Sequence, residues 1–204
     1  MKVSDEVMLH GSIDEVWQAI NDPAVLVRTI PGCELLEVTG PDRYRIVVSA
    51  GVAAIRGTYS GEVALHDQQM PTSFILTASG AGAPGTVRTD VAVTLTGDGT
   101  GGTRLRYDAD AEIGGVIAGV GQRMLTAVAK KTAGEFFAAV DDVLTGATPV
   151  AVDAGRPGAE SPGRTFVAPV PAGRTPNGFL SGAIVGGAIA IAGVLVGRLL
   201  GRRP

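Results

Sequence analysis

One run of this chain leaves little conformational freedom: Leu105, Tyr107, Ala109, Ala111 and Ile113 alternate without a break with Arg104, Arg106, Asp108, Asp110 and Glu112. Strict alternation puts one set on a buried face and the other in water, which is the pattern of a strand in an antiparallel sheet. Similar runs lie upstream. Tyr44, Ile46 and Val48 share a face, as do Ile55, Gly57, Tyr59, Gly61, Val63 and Leu65. Phe74, Leu76 and Ala78 form a third such set, and Val87, Thr89, Val91, Val93 and Leu95 a fourth. Glycine-rich stretches at 80–85 and 97–102 supply hairpin turns, and Lys2 to His10 reads as a further short strand.

Two helical patterns flank these strands. Ser12 is a good N-cap, and Glu15 three residues later completes a capping box ahead of Ile13, Val16, Trp17 and Ile20 at helical spacing. Asn21-Asp22-Pro23 ends that helix, because a residue before proline avoids the helical region. The second pattern runs from about Val116 to Leu144. It is apolar at Ile117, Val120, Met124 and Val128, then at Ala129, Phe136, Val140 and Val143. The two stripes are offset by about a quarter turn, so this helix is expected to bend or to wrap a curved sheet.

Composition shifts after residue 145. Residues 1–145 carry 11 Lys/Arg against 18 Asp/Glu, a net of −7, whereas residues 146–204 carry 6 Arg against 2 acids, a net of +4. Six of the 12 prolines fall between Gly146 and Asn177 with little periodicity, which predicts a disordered linker over 146–177. Such a linker would span on the order of 30 Å root-mean-square. Gly178 to Gly197 then carries no charged side chain, and twenty helical residues reach roughly 30 Å, the thickness of a bilayer's hydrocarbon core.

The segment 178–204 is therefore expected to associate with a membrane through Phe179, Leu180, Ile184, Val185, Ile189, Ile191, Val194 and Leu195. Arg198, Arg202 and Arg203 beyond the apolar stretch favour a re-entrant or interfacial helix over a plain span. The basic tail suits an anionic lipid surface and argues against nucleic acid as the partner of the acidic domain. The N-terminus lacks the basic start and apolar run of a secretory signal, and the single Cys33 cannot form an internal disulfide. Both point to the cytoplasmic face of the cell membrane, with the protein peripheral or tail-anchored.

Catalytic and metal chemistry find little support. His10 and His66 stand at the ends of apparent strands with no ligand-spaced partner, and no nucleophile elbow, phosphate loop or dinucleotide fingerprint occurs. Asp108, Asp110 and Glu112 read as a solvated strand face. A binding cavity is better supported. The second helical pattern opens Gly114-Gly115-Val116-Ile117-Ala118-Gly119-Val120-Gly121, and residues this small permit either close packing or a gap between helix and sheet. Such a gap would be lined by Tyr44, Ile46, Tyr59, Phe74, Leu76, Val91, Ile117, Val120, Met124 and Val128, an apolar set with few polar handles.

Several phrases also carry a resemblance. Val16-Trp17-Gln18-Ala19-Ile20-Asn21-Asp22-Pro23, Ile30-Pro31-Gly32-Cys33-Glu34, Arg56-Gly57-Thr58-Tyr59-Ser60-Gly61-Glu62-Val63 and Glu135-Phe136-Phe137 resemble the CoxG family. This is a carbon monoxide dehydrogenase accessory group within the START-like (SRPBCC) superfamily, and the resemblance covers residues 1–145. It implies an α+β helix-grip fold, with a curved antiparallel sheet around a long C-terminal helix and an apolar cavity between them. It also implies a non-enzymatic accessory of a molybdenum hydroxylase, typically CO dehydrogenase, coupled to the membrane. For such a partner the natural cargo is a lipophilic small molecule such as menaquinone or another quinone. Partner docking would use the wet face of the sheet or the loop around Pro31-Gly32-Cys33. Two alternatives stand beside this reading: an enzyme, such as a cyclase or hydrolase, acting on a lipophilic substrate, and a recruitment scaffold with no ligand.

Overall fold

The computed structural model describes residues 1–147 and 163–168. The chain begins with strand β1 (Lys2–Leu9) and two short helices, α1 (Ile13–Asn21) and α2 (Pro23–Thr29). Six strands follow: β2 (Cys33–Gly40), β3 (Arg43–Val52), β4 (Ile55–Gln69), β5 (Ser73–Gly82), β6 (Gly85–Gly97) and β7 (Thr103–Gly114). A 3-10 turn (Val116–Val120) leads into α3 (Gln122–Leu144), and a last strand, β8 (Thr165–Val167), closes the described part. The sheet is antiparallel in the order β1-β7-β6-β5-β4-β3-β2-β8, so β1 and β8 form its edges. It curves around α3, giving an α+β helix-grip architecture.

The capping box forms as the sequence predicts: Ser12 accepts from the Glu15 backbone, and the Glu15 carboxylate accepts from the Ser12 N–H at 2.8 Å. The Asp22-Pro23 break does not lead into a loop. Asp22 caps α2 by accepting from the Ala24 N–H at 2.8 Å, and Pro23 occupies the first helical turn, where a missing N–H costs nothing. The Pro31-Gly32-Cys33 phrase is the turn from α2 into β2. Gly32 sits at φ 73°, and a Cβ there would collide with the Ser49 carbonyl oxygen. The Gly32 carbonyl in turn accepts from the Ser49 N–H at 2.8 Å.

Three expectations change. The helix expected from Val116 is broken at Gly121 (φ 97°), so α3 starts at Gln122. The break resets the helical phase: Leu125 is buried in place of Met124, and the inward stripe continues through Val128, Ala129, Phe136, Phe137 and Val140. Second, β2 over Cys33–Gly40 is a full strand without a matching alternation signal. Third, Thr165–Val167 lies in the segment read as disordered linker yet pairs with Leu35–Glu37, so the globular unit extends to Pro169 rather than ending at Thr145. The rest of that linker, and the tail with Phe179, Leu180, Ile184, Val185, Ile189, Ile191, Val194 and Leu195, lies outside the described residues. Among the described residues no helix is long and apolar enough to cross a membrane.

Packing concentrates in three clusters. The first joins α1, the sheet and the far half of α3, with Trp17 edge-on to Phe74 at 5.5 Å and Tyr107 against Phe137 at 5.7 Å. The second gathers Val27, Cys33, Leu36, Val38 and Tyr44 beneath α2, with Phe166 of β8 laid on it. The third, at the opposite end of α3, is Val52, Ile117 and Leu125. Fully buried aliphatics such as Leu9, Leu105 and Val140 each stabilise the fold by about 1.5–3 kcal/mol relative to exposure, so the first cluster carries most of the stability.

Candidate functional site

The register across the sheet shows what lies between the clusters. One inner row reads Ile46, Gly61, Gly80, Val87 and Ile113, and the next reads Tyr44, Val63, Ala78, Thr89 and Ala111. Gly61 and Gly80 therefore face each other at the centre of the sheet with no side chain to fill the space above them. A Cβ on Gly61 would also collide with the Ser79 carbonyl oxygen, so the two strands approach as closely as glycine allows. Tyr59, Val63, Ala78, Thr89 and Val91 all point inward and are only half-buried. Solvent reaches this apolar inner surface between the clusters.

The ten residues expected to line a gap are distributed over all three clusters. Phe74, Leu76 and Val91 belong to the first, Tyr44 and Ile46 to the second, and Tyr59, Ile117, Val120 and Val128 to the third. Met124 stands apart from them, 47% exposed, because the break at Gly121 turns it outward. A recess of about 250 Å³, of mixed polar and apolar lining, opens beside the third cluster between Met1, Ala111, Ile113, Ala118, Gln122 and Leu125. A larger groove, about 610 Å³, lies on the other side of the sheet. Its walls are the outward rows Ser60, Ala81 and Thr86 and Glu62, Ser79, Arg88 and Glu112, and its lining also takes in Gly61, Gly80, Val87, Ile113 and Gly114 between them. Both concavities are open rather than enclosed.

Among the described residues two buried side-chain polar atoms lack a hydrogen-bond partner. The Tyr59 hydroxyl is buried with no hydrogen-bond partner, and burial pushes its pKa up, so it stays a neutral phenol able to donate and accept. Arg28 of α2 donates from Nε to the Ala24 carbonyl at 3.1 Å, but one terminal guanidinium nitrogen is buried without a partner. Leaving such groups unpaired costs about 1–3 kcal/mol each, and more for a charge. Arg28 escaped the sequence reading because α2 itself was not foreseen; the signal was Asp22-Pro23, an N-cap followed by a first-turn proline.

The remaining candidates have structural roles. The ring of His10 is held by Asp141 at 2.7 Å, and His66 bonds Asp67 at 2.9 Å and Thr77 at 3.0 Å. Asp108 pairs with Arg106 and Asp110 with Lys2, both on the outer face. Cys33 is buried, and desolvation raises its thiol pKa, the opposite of what a nucleophile needs. Among the described residues no three metal-ligating side chains come together.

A helix-grip sheet with an accessible apolar interior invites comparison with known proteins. Residues 6–145 match the family model for CoxG, the G subunit of carbon monoxide dehydrogenase. A conserved protein of Geobacillus kaustophilus is 33% identical, with a TM-score of 0.70 over 72% of this chain and 97% of that one. The chain belongs to the CoxG family. Other solved structures share the fold at lower identity. A START superfamily protein from Mycobacterium smegmatis is 16% identical, with a TM-score of 0.55 over 72% of this chain and 99% of that one. The Zhui aromatase/cyclase from Streptomyces sp. R1128 is 14% identical, with a TM-score of 0.55 over 71% of this chain and 93% of that one. No curated protein matches. CoxG membership is consistent with an accessory protein.

Proposed function

We propose that this CoxG protein is a non-enzymatic carrier. It holds a lipophilic molecule, a respiratory quinone such as menaquinone, on the inner face of the sheet and couples a molybdenum hydroxylase of the CO dehydrogenase type to the cytoplasmic face of the membrane. The observation that carries this reading is the inner row through Gly61 and Gly80: bulky clusters surround a stretch of sheet that bears no side chains and that solvent reaches. An isoprenoid-like body would cover that surface, and a carbonyl oxygen would give the Tyr59 hydroxyl the partner it lacks. The groove that carries the charged side chains Glu62, Arg88 and Glu112 on its walls is suited to the dehydrogenase. The tail 178–204 would keep the domain near the bilayer at raised effective concentration.

Mass spectrometry of organic extracts from the purified protein tests this directly. The full-length chain is compared with one ending at Pro169, which retains β8. A stoichiometric quinone in both supports a carrier whose site is in the globular unit. Quinone only with the full-length chain means that lipid follows the tail. Absence from both makes the protein a recruitment scaffold, and turnover of an extracted molecule would make it an enzyme.

A further inference from the structure

Three connections meet at one end of the helix grip: the β3–β4 turn (50–55), the β5–β6 turn (80–87) and the passage from β7 into α3 (113–122). The Ile117 N–H donates to the Pro84 carbonyl at 3.0 Å, and Val52, Ile117 and Leu125 pack together beneath them. None of the three segments contains a charged side chain. Their outer surface is apolar: Val116 is 69% exposed, and Ala53, Ala54, Ala83 and Ala118 are exposed around it, with Met124 beside them. Two arginines flank this tip. Arg56 lies over Gly51 at the start of β4, and Arg123 sits in the first turn of α3; both are exposed, and neither forms an ion pair among the described residues. The first acids behind the tip are Glu34, which accepts from the Ser49 hydroxyl at 2.6 Å, and Glu112, which has Arg88 directly across the sheet from it; Glu62 lies further back, opposite Arg45.

From this arrangement we infer that the tip is a membrane-docking surface, one that enters the headgroup region of an anionic bilayer independently of the C-terminal tail. Apolar side chains at the centre with unpaired cations around them match a surface that is hydrocarbon below and anionic above. A protein partner would be expected to meet larger anchors than alanine and glycine, whereas a lipid interface accepts a smooth, shallow patch. The 250 Å³ recess opens at the same end, so a docked domain would present the way into its interior to the bilayer. That last consequence rests on the carrier reading; docking itself does not.

The test uses the full chain with Cys33→Ser and one introduced cysteine carrying an environment-sensitive fluorophore, at Val116→Cys or, as control, at Gln68→Cys at the opposite end of the sheet. Vesicles are phosphatidylcholine with or without phosphatidylglycerol, and pelleting is measured in parallel. The label at 116 is expected to shift to the blue with a several-fold rise in intensity on anionic vesicles only, while the label at 68 stays unchanged. Arg56→Glu with Arg123→Glu should abolish the response at 116 while the protein still pellets through its tail and melts as before. If that pair fails to fold, the comparison of positions 116 and 68 and of the two vesicle types decides alone. A label at 116 that stays in water while the protein pellets, an equal response at 68, or no dependence on anionic lipid overturns the proposal. A shift without vesicles that grows with protein concentration means that the tip meets a second copy, and also overturns it.

Discussion

Asp141, near the end of α3, holds His10 at two points: one carboxylate oxygen accepts from the His10 backbone N–H at 2.6 Å, and the other contacts ring Nδ1 at 2.7 Å. The grip closes here. Next to it Leu144 packs over Gly11, whose carbonyl accepts from the fully buried Thr103 hydroxyl at 2.8 Å. Asp141→Ala leaves the His10 N–H without its acceptor and should cost about 1 kcal/mol. Asp141→Asn keeps an amide oxygen for that N–H and should cost about half as much. Urea denaturation with an unchanged m value checks both.

Gly32→Ala should be more damaging than its size suggests. The residue adopts φ 73° and sits against the Ser49 carbonyl, so the new methyl group is strained by the backbone and blocked by a neighbour. A loss of about 2 kcal/mol or more is expected. A midpoint equal to wild type would mean that the turn rearranges at little cost.

Acid should loosen the fold through carboxylates with depressed pKa values. Asp98 is held below its ordinary value of 3.8 first by the Thr100 hydroxyl, then by the backbone N–H groups of Thr100 and Gly102. Lys130 lowers Asp5 in the same sense, and Ser12 lowers Glu15. A depressed folded-state pKa contributes stability that is complete above the unfolded value and lost as pH falls through the folded one. The thermal midpoint should therefore decline below about pH 4.5, and Asp98→Asn should flatten the slope. All three groups are exposed, so the amplitude will be modest.

β8 should shield the edge it covers. The Val38 N–H donates to the Arg164 carbonyl at 2.9 Å, and the Gly163 N–H returns a bond to Val38 at 2.8 Å. Ending the chain at Thr145 would free that amide and uncover the cluster under Phe166. Hydrogen exchange across residues 33–40 should then accelerate, relative both to full length and to a chain ending at Pro169. Equal exchange in all three would show that β8 contributes nothing to the edge.

The alternating strands were legible because one face is buried and the other wet, and β7 shows this most clearly. β2 was not, since Cys33-Glu34-Leu35-Leu36-Glu37-Val38 breaks alternation at the bulge between Cys33 and Leu35. β8 was hidden for a different reason: three residues in a proline-rich stretch become a strand only because β2 offers an edge. The inner-face residues followed directly from strand phase. Met124 did not, because helical periodicity was carried through a glycine that resets it. The orphaned nitrogen of Arg28 had no sequence signal, since its isolation depends on what α2 packs against.

Tyr59 separates ligand binding from folding. Its hydroxyl is buried and unpartnered, so Tyr59→Phe removes a polar group that gains nothing in the ligand-free protein; stability should be unchanged or slightly raised. A quinone carbonyl paired with that hydroxyl would lose a hydrogen bond worth about 1 kcal/mol, a roughly fivefold weaker affinity. Extracts of the variant should then hold less quinone than wild type at equal or higher melting temperature. Conversely, a parallel fall in both would mark Tyr59 as a packing residue of the Val52, Ile117 and Leu125 cluster. Unchanged quinone content would place the polar end of the cargo elsewhere, with the unpaired guanidinium nitrogen of Arg28 the next group to test.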